Sequence, residues 1–237
     1  KKILDSVKLP VVYDFRQNDL NHGGQGAPLT PIFHKSILQK LKSEDQKFDG
    51  IVNIGGISNI TYIKKDKIFA NDIGPGNCLI DEWCKQFYNI DYDNCGIKSS
   101  GTKPDFIIAN NFIDRFNFDK NISYDFNDFS ISEFRNLEKD IGLSTLTYIT
   151  ANLILTFLNE KKINKIIVSG GGRKNKTLMN YLAGRANDID DLNYNGDFIE
   201  SQAFAYLAVR SFNQLPITFP ETTGVTKVLS GGIIKKV

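Results

Sequence analysis

One acidic side chain of this sequence occupies a position where a carboxylate could act as a base. Asp72 follows the stretch Lys67 to Ala70, which predicts a short β-strand, and it precedes the loop Gly74 to Asn77. Apolar side chains at helical spacing from Leu79 to Phe87 predict a helix after that loop. We therefore expect Asp72 at the C-terminal edge of a sheet, where ligands of α/β proteins bind. The alternative is a structural turn in which Asp72 caps the helix.

Three glycine-containing loops could approach an anion. Gly74 and Gly76 carry no Cβ, so we expect backbone amides and the following helix N-terminus to face a negative charge. A second loop runs from Asn53 to Asn59 around Gly55 and Gly56, and it could meet phosphate through backbone N–H groups. A plain hairpin turn explains those glycines but not the two asparagines beside them. The third loop contains Gly170, Gly171 and Gly172 and leads to Asn175.

The elements that must position these loops alternate between strands and helices. Three strands joined by tight turns and followed by a helix are typical of a ribonuclease-H-like lobe, the unit duplicated in actin and the hexokinases. The amphipathic stretch Leu137 to Leu158 predicts a long helix before the buried strand Ile163 to Ser169. Neither a dinucleotide fingerprint nor a Walker A motif is present. We predict an α/β fold of the actin-like ATPase type, with a mixed sheet flanked by helices. The loop from Asn53 to Asn59 and the loop from Gly170 to Gly172 would lie at one edge of this sheet.

A polar segment precedes this lobe. Tyr13 to Leu29 predicts a strand, a glycine loop and a helix begun by proline. Asp14 and Arg16 would then point to one side of the strand, either as a buried ion pair or with Arg16 or Asp19 lining a cleft. His34, in the predicted helix Pro31 to Leu41, is expected to be partly exposed.

Composition excludes several classes of function. The 237 residues are 41% hydrophobic and carry a net charge of +2 with no basic stripe, which argues against a nucleic-acid partner. No stretch approaches ~18 uninterrupted apolar residues, so we expect a soluble chain without a membrane span. The three cysteines have neither C-x-x-C spacing nor a neighbouring histidine, which argues against a disulfide framework and a zinc site.

The motifs together resemble the anhydro-N-acetylmuramic acid kinase family. The resemblance covers nearly the whole chain, with the motifs in the family's order, and it includes a helix that begins near Glu200. The matching motifs are Asp14-Phe15-Arg16, Gly23-Gly24-Gln25-Gly26-Ala27-Pro28-Leu29, Asn53 to Asn59, Asp72 to Asn77 and Val168 to Gly172. It implies a cytoplasmic enzyme of peptidoglycan recycling. With ATP and Mg²⁺, such an enzyme opens the 1,6-anhydro bond of the sugar and phosphorylates its O6.

The resemblance also implies roles for individual residues. Asp72 would be the general base that activates water. No protein side chain is expected to hold a metal directly. The residues expected to bind the sugar are Asp14, Arg16, Gly74, Gly76 and Asn77. The residues expected to bind the nucleotide are Asn53, Gly55, Gly56, Asn59, Gly170, Gly171, Gly172 and Asn175.

The chain departs from the family pattern in two places. It begins at Lys1 without the family's first phosphate loop, and Ile122 to Asp125 lacks an expected lysine. We therefore expect 1–45 to be a remnant of the first lobe and 46–237 to be the C-terminal lobe, with no turnover by this chain alone. A separately encoded first lobe and a homodimer remain open as partners. The alternatives are another actin-like sugar kinase or ATPase, and a non-catalytic remnant.

Overall fold

The computed structural model describes residues 2–118 and 123–236, and the chain forms two compact units. Unit 1 contains Lys1–Gln46, Thr61–Ala70 and Phe198–Val237, and unit 2 contains Lys47–Ile60 and Asn71–Asp197. Residues 198–237 thus cluster with the N-terminal segment, so the units do not follow the expected division at residue 45. Whether that division separates two lobes of the family stays a prediction.

Strands and helices alternate through most of the chain. The strands are β1 Val11–Tyr13, β2 Gly50–Ile54, β3 Ile57–Lys64, β4 Lys67–Pro75, β5 Ile166–Ser169, β6 Ala186–Asp188 and β7 Ile233–Lys235. The helices are α1 Lys2–Val7, α2 Gln17–Asn21, α3 Pro31–Ser43, α4 Cys78–Trp83, α5 Phe106–Arg115, α6 Lys139–Lys161, α7 Lys176–Tyr181, α8 Ile199–Phe212 and α9 Pro220–Thr223.

A five-stranded sheet has the order β4-β3-β2-β5-β6. Strands β2 and β5 are parallel, with Asn53 opposite Ser169, and β5 and β6 are parallel, with Val168 opposite Asp188. Two residues join β2 to β3 and two join β3 to β4, connections that only antiparallel pairs permit. Three hairpin-linked strands, a helix and two parallel strands confirm the predicted ribonuclease-H-like α/β fold with a mixed sheet.

The long helix α6 differs from its prediction. We expected an amphipathic helix, but buried side chains occur all around it because α4, α5 and α7 all pack against it. Among the described residues, α6 is the one helix long and apolar enough to pass for a membrane span, and 72% of its apolar window is buried inside the fold. A core helix passes the same test, so the finding carries no membrane assignment.

The core of unit 2 is built by close helix contacts around Trp83. This side chain is fully buried, and its indole N–H donates to the carbonyl of Lys139 at 2.8 Å. Its ring lies so close to Gly142 that no Cβ would fit there. The glycine in α6 is therefore explained by the approach of α4, which carries Trp83.

Unit 1 combines the ribbon of antiparallel strands β1 and β7 with α3 and α8. Helix α3 confirms the predicted helix from Pro31. The expectation that His34 is partly exposed was wrong. His34 is buried and its Nδ1 lies 2.9 Å from Oγ1 of Thr61, and burial lowers its pKa to about 4.

Candidate functional site

The first two glycine loops meet at the carboxyl end of β2. The amide of Gly76 donates to the carbonyl of Gly56 at 2.8 Å, and the amide of Asn77 donates to the carbonyl of Gly55 at 2.8 Å. The side-chain amide of Asn77 also donates to the carbonyl of Ile54 at 3.2 Å. The β2–β3 turn and the start of α4 therefore form one hydrogen-bonded unit.

The third glycine loop lies against the same strand end. Gly170 has a φ of +81°, and a Cβ there would lie 2.6 Å from both Oδ1 of Asn53 and the carbonyl oxygen of Ile54. A Cβ on Gly172 would overlap the side chain of Ile54. The prediction that the glycine loops share one sheet edge is confirmed, and glycine is required because backbone meets backbone there.

The predicted anion cradle at Gly74 and Gly76 was wrong. The amides of Gly76, Asn77 and Cys78 already donate to carbonyl groups of the β2–β3 turn, so these amides do not face a ligand. Gly76 packs directly on the carbonyl of Gly55, and Gly74 has a φ of +141° beneath the ring of Phe116. Both glycines are explained by packing.

We expected Asp72 at the end of a strand, but it lies inside β4. The strand continues to Pro75 because β4 is an edge strand, where proline can be accommodated without breaking a central ladder. Asp72 does not cap α4 either, since Asn77 occupies the N-cap position. The glycines and proline had suggested that the loop begins earlier than it does.

The carboxylate of Asp72 is held by a segment distant in sequence. Its Oδ2 accepts hydrogen bonds from the amide of Tyr124 at 3.0 Å and from the hydroxyl of Ser123 at 3.3 Å. Burial raises the pKa of Asp72 above its ordinary value, and these two hydrogen bonds oppose that rise. The segment is the one that departs from the family pattern; its first residue, Ile122, lies outside the described residues.

Sequence reasoning missed an aromatic side chain at this edge. Phe126 is 60% exposed, and its ring lies directly against Gly56, where a Cβ would collide with it. The segment 123–126 therefore contacts both Asp72 and the β2–β3 turn. Nothing in the local sequence predicts this pairing, because it depends on a long-range contact.

A large cavity opens beside the third glycine loop. It has a volume of about 1030 Å³ and is lined by Asn77, Gly171, Asn175 and Met179, among others. A Cβ on Gly171 would meet nothing closer than the side-chain nitrogen of Asn77, at 3.7 Å. Gly171 is thus the one glycine of its loop with free space for a side chain. Asn175 also lines the cavity, but its Oδ1 accepts the amide of Leu178 at 3.0 Å and caps α7.

Arg173 is a further residue of this cavity that sequence reasoning missed. Its side chain is 3% exposed and forms ion pairs with Asp188, Asp190 and Asp197. Burial lowers its pKa, but the hydrogen bonds and charges of Asp197 and Asp190 outweigh that effect and raise the pKa above its ordinary value. The three glycines had directed attention to the backbone of this loop and away from its arginine.

Asn59 lies within β3 and not in the loop where it was expected. The turn between β2 and β3 contains only Gly55 and Gly56.

The predicted site residues Asp14 and Arg16 lie in unit 1. We expected Asp14 and Arg16 to point to one side of a strand. Strand β1 ends at Tyr13 and Asp14 has a φ of +54°, so neither residue belongs to the strand. Arg16 donates from Nε to the carbonyl of Gly26 at 3.0 Å. Asp14 lines a separate depression of about 480 Å³ together with Asn18.

Asp19 is buried and does not line a cleft. Its two carboxylate oxygens accept hydrogen bonds from the amide of Gly26 at 2.7 Å and from the hydroxyl of Thr223 at 2.6 Å. Gly24 packs so closely on this carboxylate that a side chain there would overlap it. The Gly-Gly-Gln-Gly loop is therefore wrapped around Asp19, which explains its glycines.

Comparisons with known proteins agree on one family. A family model described as anhydro-N-acetylmuramic acid kinase matches residues 1–236. The chain is 44% identical to the anhydro-N-acetylmuramic acid kinase of Pelagibacter ubique (strain HTCC1062), over 97% of this chain and 66% of the relative. It is 39% identical to that of Brucella canis, over 95% of this chain and 64% of the relative. The chain thus spans slightly less than two thirds of the length of these relatives.

A solved structure also matches part of the fold. It is the activator of the 2-hydroxyisocaproyl-CoA dehydratase from Clostridium difficile with bound ADPNP. The TM-score is 0.43 at 11% identity, and the match covers 66% of this chain and 57% of that one.

Proposed function

Because the chain belongs to the anhydro-N-acetylmuramic acid kinase family, we propose that it contributes the base and a nucleotide cavity to an ATP-dependent anhydro-N-acetylmuramic acid kinase. The reaction opens the 1,6-anhydro bond and gives N-acetylmuramic acid 6-phosphate, a step of peptidoglycan recycling. The observation that carries the proposal is the meeting of three polar glycine loops at one sheet edge, beside a cavity of about 1030 Å³.

The cavity suits a nucleotide in size and lining. Pockets for small molecules commonly have volumes of about 300–1,000 Å³, and the volume of this cavity, about 1030 Å³, lies just above that range. Gly171 leaves room at its wall, and Asn77 presents a side-chain amide nearby. We assign Gly170, Gly171, Gly172 and Asn175 to the nucleoside side. Asn53, Gly55, Gly56 and Asn59 are assigned to the phosphate side.

Mg²⁺ would neutralise the developing charge on the phosphates. Among the described residues no three His, Cys, Asp or Glu side chains are grouped to hold a metal. In kinases Mg²⁺ keeps several waters and takes phosphate oxygens as ligands. Asn59 and the turn at Gly55 and Gly56 are the groups that would contact its water.

Asp72 has the properties required of the base. The overall reaction forms a bond between the oxygen of water and C1, breaks the bond between C1 and O6, and passes the γ-phosphoryl group to O6. Asp72 takes the proton that the water loses. Its raised pKa makes it a better proton acceptor than an exposed aspartate, and its Oδ2 is oriented by Tyr124 and Ser123.

We propose Asp14 and Arg16 of unit 1 as sugar-binding residues, and, separately, Asn77 of unit 2. Gly74 and Gly76 shape the strand end that carries Asp72. The proposal places the enzyme in the cytoplasm, where ATP is available, and leaves a homodimer and a separately encoded first lobe as partners to be tested by light scattering.

The proposal is tested in a chimera in which this chain replaces the matching 66% of the Pelagibacter ubique relative. We expect ADP release that requires both Mg²⁺ and 1,6-anhydro-N-acetylmuramic acid. ADP release from glucose but not from the anhydrosugar would favour another actin-like sugar kinase. A chimera that folds and binds the anhydrosugar but never releases ADP would favour a non-catalytic role.

A further inference from the structure

We propose that Arg173 is a positioning residue of the cavity. It ties the glycine loop to the segment 188–197 and thereby sets nucleotide affinity without touching the nucleotide. The inference rests on the proposed nucleotide role of the cavity. It goes beyond that role by assigning the shape of the cavity to one side chain that had no predicted function.

The contacts of Arg173 reach both segments. Its Nη1 donates to the carbonyl of Gly170 at 3.0 Å, within its own loop. On the other segment, Nε donates to Oδ2 of Asp190 at 3.2 Å and Nη2 donates to Oδ1 of Asp197 at 2.8 Å. One planar guanidinium thus joins the backbone of the glycine loop to two carboxylates of the segment 188–197.

The segment 188–197 is shaped to receive this side chain. Gly196 packs directly on the guanidinium, so that a Cβ there would overlap it. The amide of Gly196 also donates to Oδ1 of Asp190 at 2.6 Å, which orients that carboxylate. The glycine and the carboxylate are therefore parts of one arrangement around Arg173.

Arg173 is not available to bind phosphate. Its three nitrogens are all engaged by the loop carbonyl and the carboxylates, and its side chain is 3% exposed. Around it lie three carboxylates, Asp188, Asp190 and Asp197, against two cations, Arg173 and Lys174. The ion-pair cluster around Arg173 thus carries one net negative charge, which disfavours phosphate.

Lysine could not replace this side chain. A lysine ammonium is a single point charge, whereas the planar guanidinium donates in several fixed directions at once. Arg173→Lys keeps the charge and therefore tests the geometry. Arg185→Lys is the matched control: Arg185 also makes three hydrogen bonds, to Asn159, Ile163 and Asn164, but it does not line the cavity.

The first measurement is amide hydrogen exchange on the 237-residue chain without nucleotide. In Arg173→Lys we expect faster exchange in both 171–174 and 188–197, while the strands β2 and β5 stay protected. Arg185→Lys should leave both segments unchanged. Asp197→Asn, an exposed and milder substitution, should accelerate exchange in the same two segments to a smaller extent. Unchanged exchange in Arg173→Lys and Asp197→Asn overturns the proposal.

The second measurement is the dissociation constant of Mg²⁺–ATP by titration calorimetry. We expect Arg173→Lys to raise this constant by about tenfold, the lower limit for residues that orient metal ligands, and Arg185→Lys to leave it unchanged. Faster exchange with an unchanged dissociation constant overturns the positioning role. If neither the wild-type chain nor the chimera binds ATP, the proposed nucleotide site is wrong, and the exchange data alone decide whether Arg173 joins the two segments.

Discussion

The amide of Tyr124 donates a 3.0 Å hydrogen bond to Oδ2 of Asp72, across 52 residues of sequence. This contact leaves Oδ1 of the carboxylate with no hydrogen bond among the described residues. Burial raises the pKa of Asp72 while the bond orients the side chain, so the carboxylate is both fixed and basic. These are the requirements of a general base.

Replacing Asp72 by asparagine should abolish most turnover. Asp72→Asn keeps the shape and an oxygen that can accept from Tyr124, but it cannot take a proton. We expect kcat in the chimera to fall by a factor on the order of 10² to 10⁴, with nucleotide affinity unchanged. Asp114→Asn, at an exposed site, is the control. Near-normal turnover of Asp72→Asn would show that another group is the base.

Gly171→Val should block the nucleotide cavity without unfolding the chain. The position has space for a Cβ, with the nearest atom at 3.7 Å, and the branched side chain would occupy the cavity. We expect loss of ATP binding at a nearly unchanged melting temperature. Gly101→Val, where the nearest atom is 3.4 Å from the Cβ, is the control outside the cavity. ATP binding by a folded Gly171→Val chain would place the nucleotide elsewhere.

Gly76→Ala should destabilise the sheet edge. A Cβ there would overlap the carbonyl of Gly55, so the hydrogen bonds between the β2–β3 turn and the start of α4 would have to shift. We expect the free energy of unfolding in urea to fall by about 1–3 kcal/mol, as for other overpacked sites. A Gly76→Ala chain as stable as the wild type would mean that this contact is easily relaxed.

His34 should make the stability of the chain depend on pH. Its folded-state pKa of about 4 lies below the value of 6.5 in an unfolded chain, so the unfolded state binds more protons between these values. The contribution of the neutral His34 side chain to the free energy of unfolding is complete above pH 6.5 and is lost as pH falls towards 4. Over that range it amounts to about 3 kcal/mol.

His34→Gln should therefore show a smaller loss of stability than the wild type between neutral and acid pH in urea titrations. His22→Gln, which replaces the exposed histidine on the C-cap of α2, should keep the wild-type pH dependence. An identical slope in His34→Gln and the wild type would contradict the assignment to His34.

The sequence was sufficient to predict the order of strands, helices and glycine loops, because each is specified locally. The hairpins around Gly55, the strand before Gly170 and the helix from Pro31 follow from local spacing and turn residues. Their meeting at one sheet edge follows from the parallel pairing of β2 with β5.

The errors concern contacts between distant segments. The burial of His34 depends on Thr61, the use of the Gly76 amide depends on Gly56, and the setting of Asp72 depends on Tyr124. Arg173 shows the same limit, since its three partners follow it in the sequence without any motif. Side-chain partners of this kind are set by tertiary packing and leave no periodic pattern.

The mass of the phosphorylated sugar tests the central proposal most directly. The chimera is incubated with ATP, Mg²⁺ and 1,6-anhydro-N-acetylmuramic acid, and the product is analysed by mass spectrometry and phosphorus NMR. We predict a product that has gained one phosphoryl group and one water, with phosphate on O6, and that is absent with Asp72→Asn. A phosphorylated sugar that retains the intact anhydro ring, or a product formed equally by Asp72→Asn, would contradict the account.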